Sequence, residues 1–142
     1  MSSDNRVVIV TGGSRGIGEA IALAFASCGD AVVVNYLKSY GLAEDVVKKV
    51  KAAGGAGFAF KADISRLDEA MILCKAAIDR YGRIDVLVNN AGTSSSGFLM
   101  LTGSSEWESA ISTNLTGVFN TCKAALQYMF DSKSGAIVNV AS

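Results

Sequence analysis

The feature that most constrains this 142-residue chain is alternation. Short runs of β-branched and small apolar residues recur along it. Each is followed by a glycine-punctuated turn and a stretch with helical spacing. Val7-Val8-Ile9-Val10 is the first run, continuous enough to read as a strand buried on both faces. Ala31 to Tyr36, Gly57 to Ala62, Ile84 to Val88 and Ala136 to Val140 read as the other strands. Between them, apolar residues at spacings of three and four predict helices. The expected buried lines are Ile17, Ala20, Ile21, Ala24, Phe25 and Cys28, ending at Gly29; then Leu42, Val46, Val47 and Val50, ending at Gly54-Gly55. A capping box, Ser65-x-x-Asp68, is expected to open a third helix with Leu67, Met71, Cys74, Ile78 and Tyr81 inward. A fourth, capped by Ser105-x-x-Glu108, carries Trp107, Ile111, Leu115, Val118, Cys122 and Met129; unbroken to Phe130 it would be roughly 40 Å long. The pattern βαβαβαβαβ predicts an α/β fold, a Rossmann-type doubly wound parallel sheet of five strands with helices on both faces, in the order 3-2-1-4-5. One domain, 1–142, is expected.

Composition excludes several classes. Lys+Arg and Asp+Glu are both 13, so there is no basic excess of the kind a nucleic-acid binder needs. Half the residues are hydrophobic, which argues against disorder. Proline is absent, and no interrupted helix is expected. Cys28, Cys74 and Cys122 are far apart and histidine is absent, so no metal site is expected, and the thiols read as buried and reduced. The first residues are no signal peptide, and no apolar run approaches the roughly 18 residues that span a bilayer. A cytoplasmic protein without membrane partners is the expectation.

In a doubly wound sheet, ligands bind beyond the carboxyl ends of the strands where the strand order reverses. The first such turn here is Thr11-Gly12-Gly13-Ser14-Arg15-Gly16-Ile17-Gly18. Gly12 permits the tight turn, Gly16 lets backbone approach a pyrophosphate, and Gly18 allows close helix packing. The helix N-terminus offers free amides and a partial positive charge to phosphate. A Walker loop is excluded, because Glu19-Ala20 stands where Lys-Ser/Thr is required. The second strand bears on which dinucleotide. NAD binding wants an acid about 20 residues beyond the fingerprint, on the ribose 2′-hydroxyl. Val34-Asn35-Tyr36-Leu37-Lys38-Ser39 has none. Arg15, Tyr36, Lys38 and Ser39 offer cations and hydroxyls instead, which suit a 2′-phosphate. NADP (NADPH) is the expected cofactor.

The glycine turn, Asp63 after the third strand, Asn89-Asn90-Ala91-Gly92 after the fourth, Thr113-Asn114-Leu115 in the long helix and a strand leading to Ser142 together resemble the short-chain dehydrogenase/reductase family. Within it the chain is most similar to the 3-oxoacyl-carrier-protein reductase group of ketoreductases. The resemblance runs from Val7 to Ser142. It implies an oxidoreductase passing hydride to a small-molecule carbonyl substrate. It implies catalytic roles for Asn114, holding water in a proton relay, and Ser142, hydrogen-bonding the carbonyl. Gly12, Ser14, Arg15, Gly16, Ile17, Gly18, Tyr36, Lys38, Ser39, Asp63, Asn89, Ala91 and Gly92 would hold the cofactor. Asp63 would meet the adenine; a turn or cap is an equal reading of that residue. Asn89 would also steady the sheet. The resemblance further implies a homo-oligomer built through the long helix 105–130.

The family's general acid is a tyrosine in a Tyr-x-x-x-Lys motif after the serine. Tyr36, Tyr40, Tyr81 and Tyr128 are followed four residues on by Tyr40, Glu44, Asp85 and Ser132, so none supplies it. The chain thus reads as an N-terminal portion, truncated after the fifth strand and inactive alone. The last strand is expected to be an uncovered parallel edge, with Val86, Val88, Ile137 and Val138 short of a covering helix. Two other classes compete. A non-catalytic nucleotide-binding fragment would associate with an intact subunit. A receiver-type signalling domain needs an acidic cluster at the strand ends, which Val10-Thr11-Gly12 does not offer.

Overall fold

The computed structural model describes residues 5–94 and 97–141. Ser142, one of the two expected catalytic residues, and Ser95-Ser96 lie outside them. Five parallel strands form one sheet: β1 (Val7–Val10), β2 (Ala31–Tyr36), β3 (Ala56–Lys61), β4 (Val86–Asn89) and β5 (Ala136–Asn139). Their order is β3-β2-β1-β4-β5, as expected. Val8 is in register with Val32 of β2 and Val86 of β4, so β1 is the central strand.

Alternation of side chains across the strands divides the core in two. Val8, Val10, Val32, Val34, Val86 and Val88 face α1 (Gly16–Ser27) and α2 (Tyr40–Ala52). Val7, Ile9, Val33 and Leu87 face α3 (Leu67–Tyr81) and α5 (Gly117–Ser132), the second part of the long helix; its first part, α4 (Ser104–Ile111), buries no residue. Val86 and Val88 are therefore covered, contrary to expectation; the exposed apolar side chains at that edge are Val138 and Val140.

Three helices turn a different line inward from the one expected. In α1 the buried residues are Gly18, Ala22 and Ala26, while Ile17, Ala20, Ala24 and the Cys28 cap are exposed. In α3 they are Ala70, Leu73, Cys74 and Ala77, with Met71 exposed. In α5 they are Gly117, Asn120, Thr121, Ala124, Ala125 and Met129; Trp107, Ile111 and Leu115 of the expected line are exposed. Small residues let a helix axis approach a valine-rich sheet closely, so they take the contact line and larger side chains flank it. In α2 the expected Val46, Val47 and Val50 are buried, and Leu42 is exposed. Burial pushes the Cys74 thiol up to about 12, so it packs as a small apolar group.

Two helix starts also differ. Asp63 Oδ1 accepts from the backbone N–H and hydroxyl of Ser65 at 3.0 and 2.6 Å, and Glu69 accepts the Asp63 N–H, so Asp63 and Glu69 rather than Ser65 and Asp68 organise the entry to α3. At α4, Glu106 accepts the Gly103 N–H at 3.1 Å, two residues earlier than Ser105-x-x-Glu108 implied. The long helix is not regular. Ser112–Thr116 form a π-helical segment between α4 and α5. Such bulges widen the helix by one residue and cluster at functional sites. Among the described residues no helix is long and apolar enough to cross a membrane.

Candidate functional site

A cleft of about 460 Å³ opens at the carboxyl ends of the strands, across β1 where the order reverses. Its lining brings together Gly12, Ser14, Arg15, Ile17, Gly18, Tyr36, Lys38, Ser39, Asp63, Ala91 and Gly92, eleven of the residues picked out in the sequence. Gly16, Asn89 and Asn114 stand outside that lining.

The glycine turn is built by three demands. Gly12 and Gly16 have φ of +60° and +55°, the left-handed region that favours glycine. A Cβ at Gly16 would meet nothing within 4 Å, so backbone there faces open space. Gly18 is different: its Cβ would lie 2.6 Å from Asn90 Nδ2 and 2.9 Å from Gly13 Cα, and closer still to the Gly12 carbonyl oxygen. The close approach that Gly18 allows is thus to its own turn and the loop after β4. Arg15, at the N-cap of α1, provides no side-chain cap, leaving the first-turn amides free for a ligand. Glu19 in that turn is paired with Lys49 of α2 at 2.6 Å, which offsets its charge beside the turn.

Buried polar side chains stitch the strand ends together. Thr11 is fully buried; its hydroxyl donates to the Val88 carbonyl and accepts the Asn90 and Ala91 N–H groups, each at 3.0 Å. Asn90 Nδ2 returns to the Thr11 and Gly12 carbonyls, both at 3.1 Å. Asn35 spans β1 to β3, accepting the Gly12 N–H and donating to the Phe60 and Ala62 carbonyls. Asn89 sits beneath the cleft at 2% exposure. It accepts from the Thr121 hydroxyl at 2.6 Å and donates to Asn139 Oδ1 at 2.9 Å, joining β4 to α5 and β5.

The sequence reading missed Thr11, Asn35, Leu37, Ile64, Thr93, Ser109 and Thr113 as site residues. An Asn after three valines in a buried strand was the signal available for Asn35.

Asn114 lies in the π segment. Its Oδ1 accepts the Thr93 N–H at 2.8 Å and its Nδ2 donates to the Thr93 carbonyl at 2.7 Å. The bulge thus aims a two-point clamp at the backbone of a cleft residue. At the other end, burial raises the Tyr36 phenol above its ordinary value, with Tyr40 and Glu44 adding to the shift. Tyr36 stays protonated at neutral pH and can donate a hydrogen bond.

A family model for short chain dehydrogenases matches residues 6–142. The chain belongs to the short chain dehydrogenase family. Two relatives are similar to it over nearly its full length. The 3-oxoacyl-acyl-carrier-protein reductase of Synechocystis is 45% identical over 96% of this chain and 56% of its own. The reductase of the same name from Staphylococcus epidermidis is 44% identical over 97% of this chain and 57% of its own. The chain thus spans little more than half the length of these relatives. Among solved structures, a metagenomic short-chain oxidoreductase in complex with NADP superposes with a TM-score of 0.90 at 35% identity, covering 96% of this chain and 62% of that one. Membership in this family makes the chain an oxidoreductase-family protein, and its cleft lies where a doubly wound sheet takes its ligand. The free α1 amides, the open space at Gly16 and the Tyr36–Ser39 rim match a phosphorylated ligand.

Proposed function

We propose that this chain holds NADP(H) and supplies the cofactor-binding domain of a reductase that converts a 3-oxoacyl thioester-like carbonyl to the alcohol. The observation that carries the cofactor choice is the rim of the cleft after β2. It presents Tyr36, Lys38 and Ser39 beside Arg15 and has no acid from Asn35 to Ser39. Cations and hydroxyls attract a 2′-phosphate; a carboxylate there would repel it. The substrate class is supported by the shared name of the two relatives.

When bound, the nicotinamide supplies the hydride for the carbonyl carbon. The α1 amides at Ile17 and Gly18, with Ser14, hold the pyrophosphate. Asp63 meets the adenine while Ser65 keeps its carboxylate oriented. Ala91 and Gly92 border the ribose. Asn114 fixes Thr93 and, with Ser142 on the substrate oxygen, belongs to the reacting end. The proton donor of the family, a tyrosine with its lysine, has no counterpart among these 142 residues. The chain alone is therefore a binder without turnover.

Isothermal titration with NADPH and NADH tests this, alongside NADPH oxidation with a 3-oxoacyl thioester. NADPH should bind at least about tenfold more tightly, one charge-assisted contact's worth. NADH binding equally well sinks the cofactor choice, and turnover sinks the inactivity of the isolated chain.

Self-association through the long helix is part of the same reading. Trp107, Leu115, Phe119 and Phe130 are 60–83% exposed along it. Clustered apolar exposure of this kind marks an interaction surface. Phe119→Glu should shift the chain toward monomer in analytical ultracentrifugation, with the cofactor affinity within about twofold of wild type, well under a kcal/mol. An unchanged sedimentation profile would remove this helix from the interface.

A further inference from the structure

We propose that Asn35 is a positioning residue for the cofactor, a strut whose carboxamide sets the spacing between the glycine turn and the end of β3. The proposal rests on the cofactor reading above. Asn35 is 2% exposed and follows Val32, Val33 and Val34, all fully buried. A carboxamide in such a place is tolerated only with its hydrogen bonds made. They run in two directions. Oδ1 accepts the Gly12 N–H at 3.4 Å, on the β1 side. Nδ2 donates to the carbonyls of Ala62 at 3.1 Å and Phe60 at 3.3 Å, on the β3 side. The backbone carbonyl of Asn35 also accepts the Gly13 N–H, at 2.9 Å. Gly12, Asn35 and Ala62 all line the cleft, so the three sides of its floor meet in this one amide.

The chemistry is specific to an amide. An acceptor is needed toward Gly12 and a donor toward β3. A leucine offers neither. An aspartate of the same size offers the acceptor but, when ionised, turns negative charge onto the carbonyl oxygens of Ala62, Phe60 and Tyr36 that the Asn35 amide faces. When protonated it regains one donor. Asn35→Asp therefore converts the strut into one that works only at low pH.

The test uses the full chain and NADP⁺ as the probe, titrated by calorimetry at pH 5 and pH 8 into wild type and Asn35→Asp. Arg15, Lys38, Tyr36 and Asp63 line the same cleft in both proteins. The 2′-phosphate also titrates against both, so the ratio of dissociation constants is the quantity read. Burial and the facing carbonyls favour the protonated acid. The ratio should be about ten at pH 8 and fall below about two at pH 5. Equal affinity at both values overturns the proposal. A loss of the same size at both pH values also overturns it, because bulk rather than the donor would then be at fault. If wild type takes up no NADP⁺ at either pH, the cofactor reading fails and this proposal with it. A second measurement needs no ligand. In Asn35→Ala the Gly12 amide loses its acceptor, while Gly13 keeps the backbone carbonyl. Hydrogen exchange at Gly12 should quicken about tenfold with Gly13 unchanged. Unchanged exchange at Gly12, or equal loss at both, overturns the strut.

Discussion

Gly18→Ala should abolish NADP⁺ binding in a chain that still folds, weakening it by more than about a hundredfold, or roughly 2.7 kcal/mol. The backbone at Gly18 is ordinary helix, so no conformational penalty applies; the objection is space. The new methyl group would press on the Gly12 carbonyl, on Gly13 Cα at 2.9 Å and on Asn90 Nδ2 at 2.6 Å. Two of these neighbours are backbone. The third is an amide already committed to the Thr11 and Gly12 carbonyls. Nothing there can give way cheaply, so α1 must move outward or the turn must open. Overpacking of this kind costs about 1–3 kcal/mol of stability. Affinity suffers more, because the displaced first turn of α1 carries the amides meant for the pyrophosphate. Gly16→Ala is the control. Its Cβ has open space, but φ is +55°, so a left-handed penalty of about 1 kcal/mol applies without a clash. Calorimetry on both variants, with thermal unfolding, separates the two causes. A Gly18→Ala chain that binds within threefold of wild type would remove the turn from the binding site.

Much of this arrangement was legible beforehand. β1, β2 and β4 appear where β-branched runs occur, as strands buried on both faces favour, whereas β3 holds no β-branched residue and was marked by small and aromatic apolar residues between glycines and Asp63. Gly12, Gly16 and Gly18 announced the cleft, since each answers a backbone demand that side chains cannot meet. What escaped the sequence were contacts whose partner is distant in the chain. Thr11 read only as the first residue of the glycine turn, yet it holds a loop some eighty residues away. Asn35 read only as one residue of a stretch without an acid, yet its amide braces the glycine turn and the end of β3. The helices were misread in a more systematic way. Apolar periodicity says that a face meets something apolar, without saying what. In α5 the largest aliphatic and aromatic side chains face outward, and Gly117, Thr121, Ala124 and Ala125 face the sheet. The π segment at Ser112–Thr116 was equally hidden, because no proline or glycine marks its start.

That misreading makes a sharp comparison possible on α3. Periodicity put Met71 inside and left Leu73 out of the core. In the fold Leu73 is fully buried among Val7, Ile9 and Leu87, whereas Met71 is 44% exposed. Leu73→Ala should therefore cost about 3 kcal/mol, the transfer term plus the cavity left beside a rigid sheet. Met71→Ala should cost less than about 1 kcal/mol, as surface changes do. For a chain of this size the first corresponds to a fall in Tm of about 6–12 °C, since each kcal/mol is worth roughly 2–4 °C. Both positions lie in mid-helix, and alanine is a good helix former, so propensity does not confuse the comparison. Leu73 is remote from the cleft lining, so NADP⁺ at a hundred times its dissociation constant should restore about 2.7 kcal/mol to Leu73→Ala by mass action. It should do nothing for Gly18→Ala, whose defect is in the site. Differential scanning fluorimetry with and without the ligand reads all of these at once. Equal Tm values for the Leu73 and Met71 variants would mean that α3 presents the other face to the sheet. Recovery of Gly18→Ala by ligand would place the phosphates somewhere other than the first turn of α1.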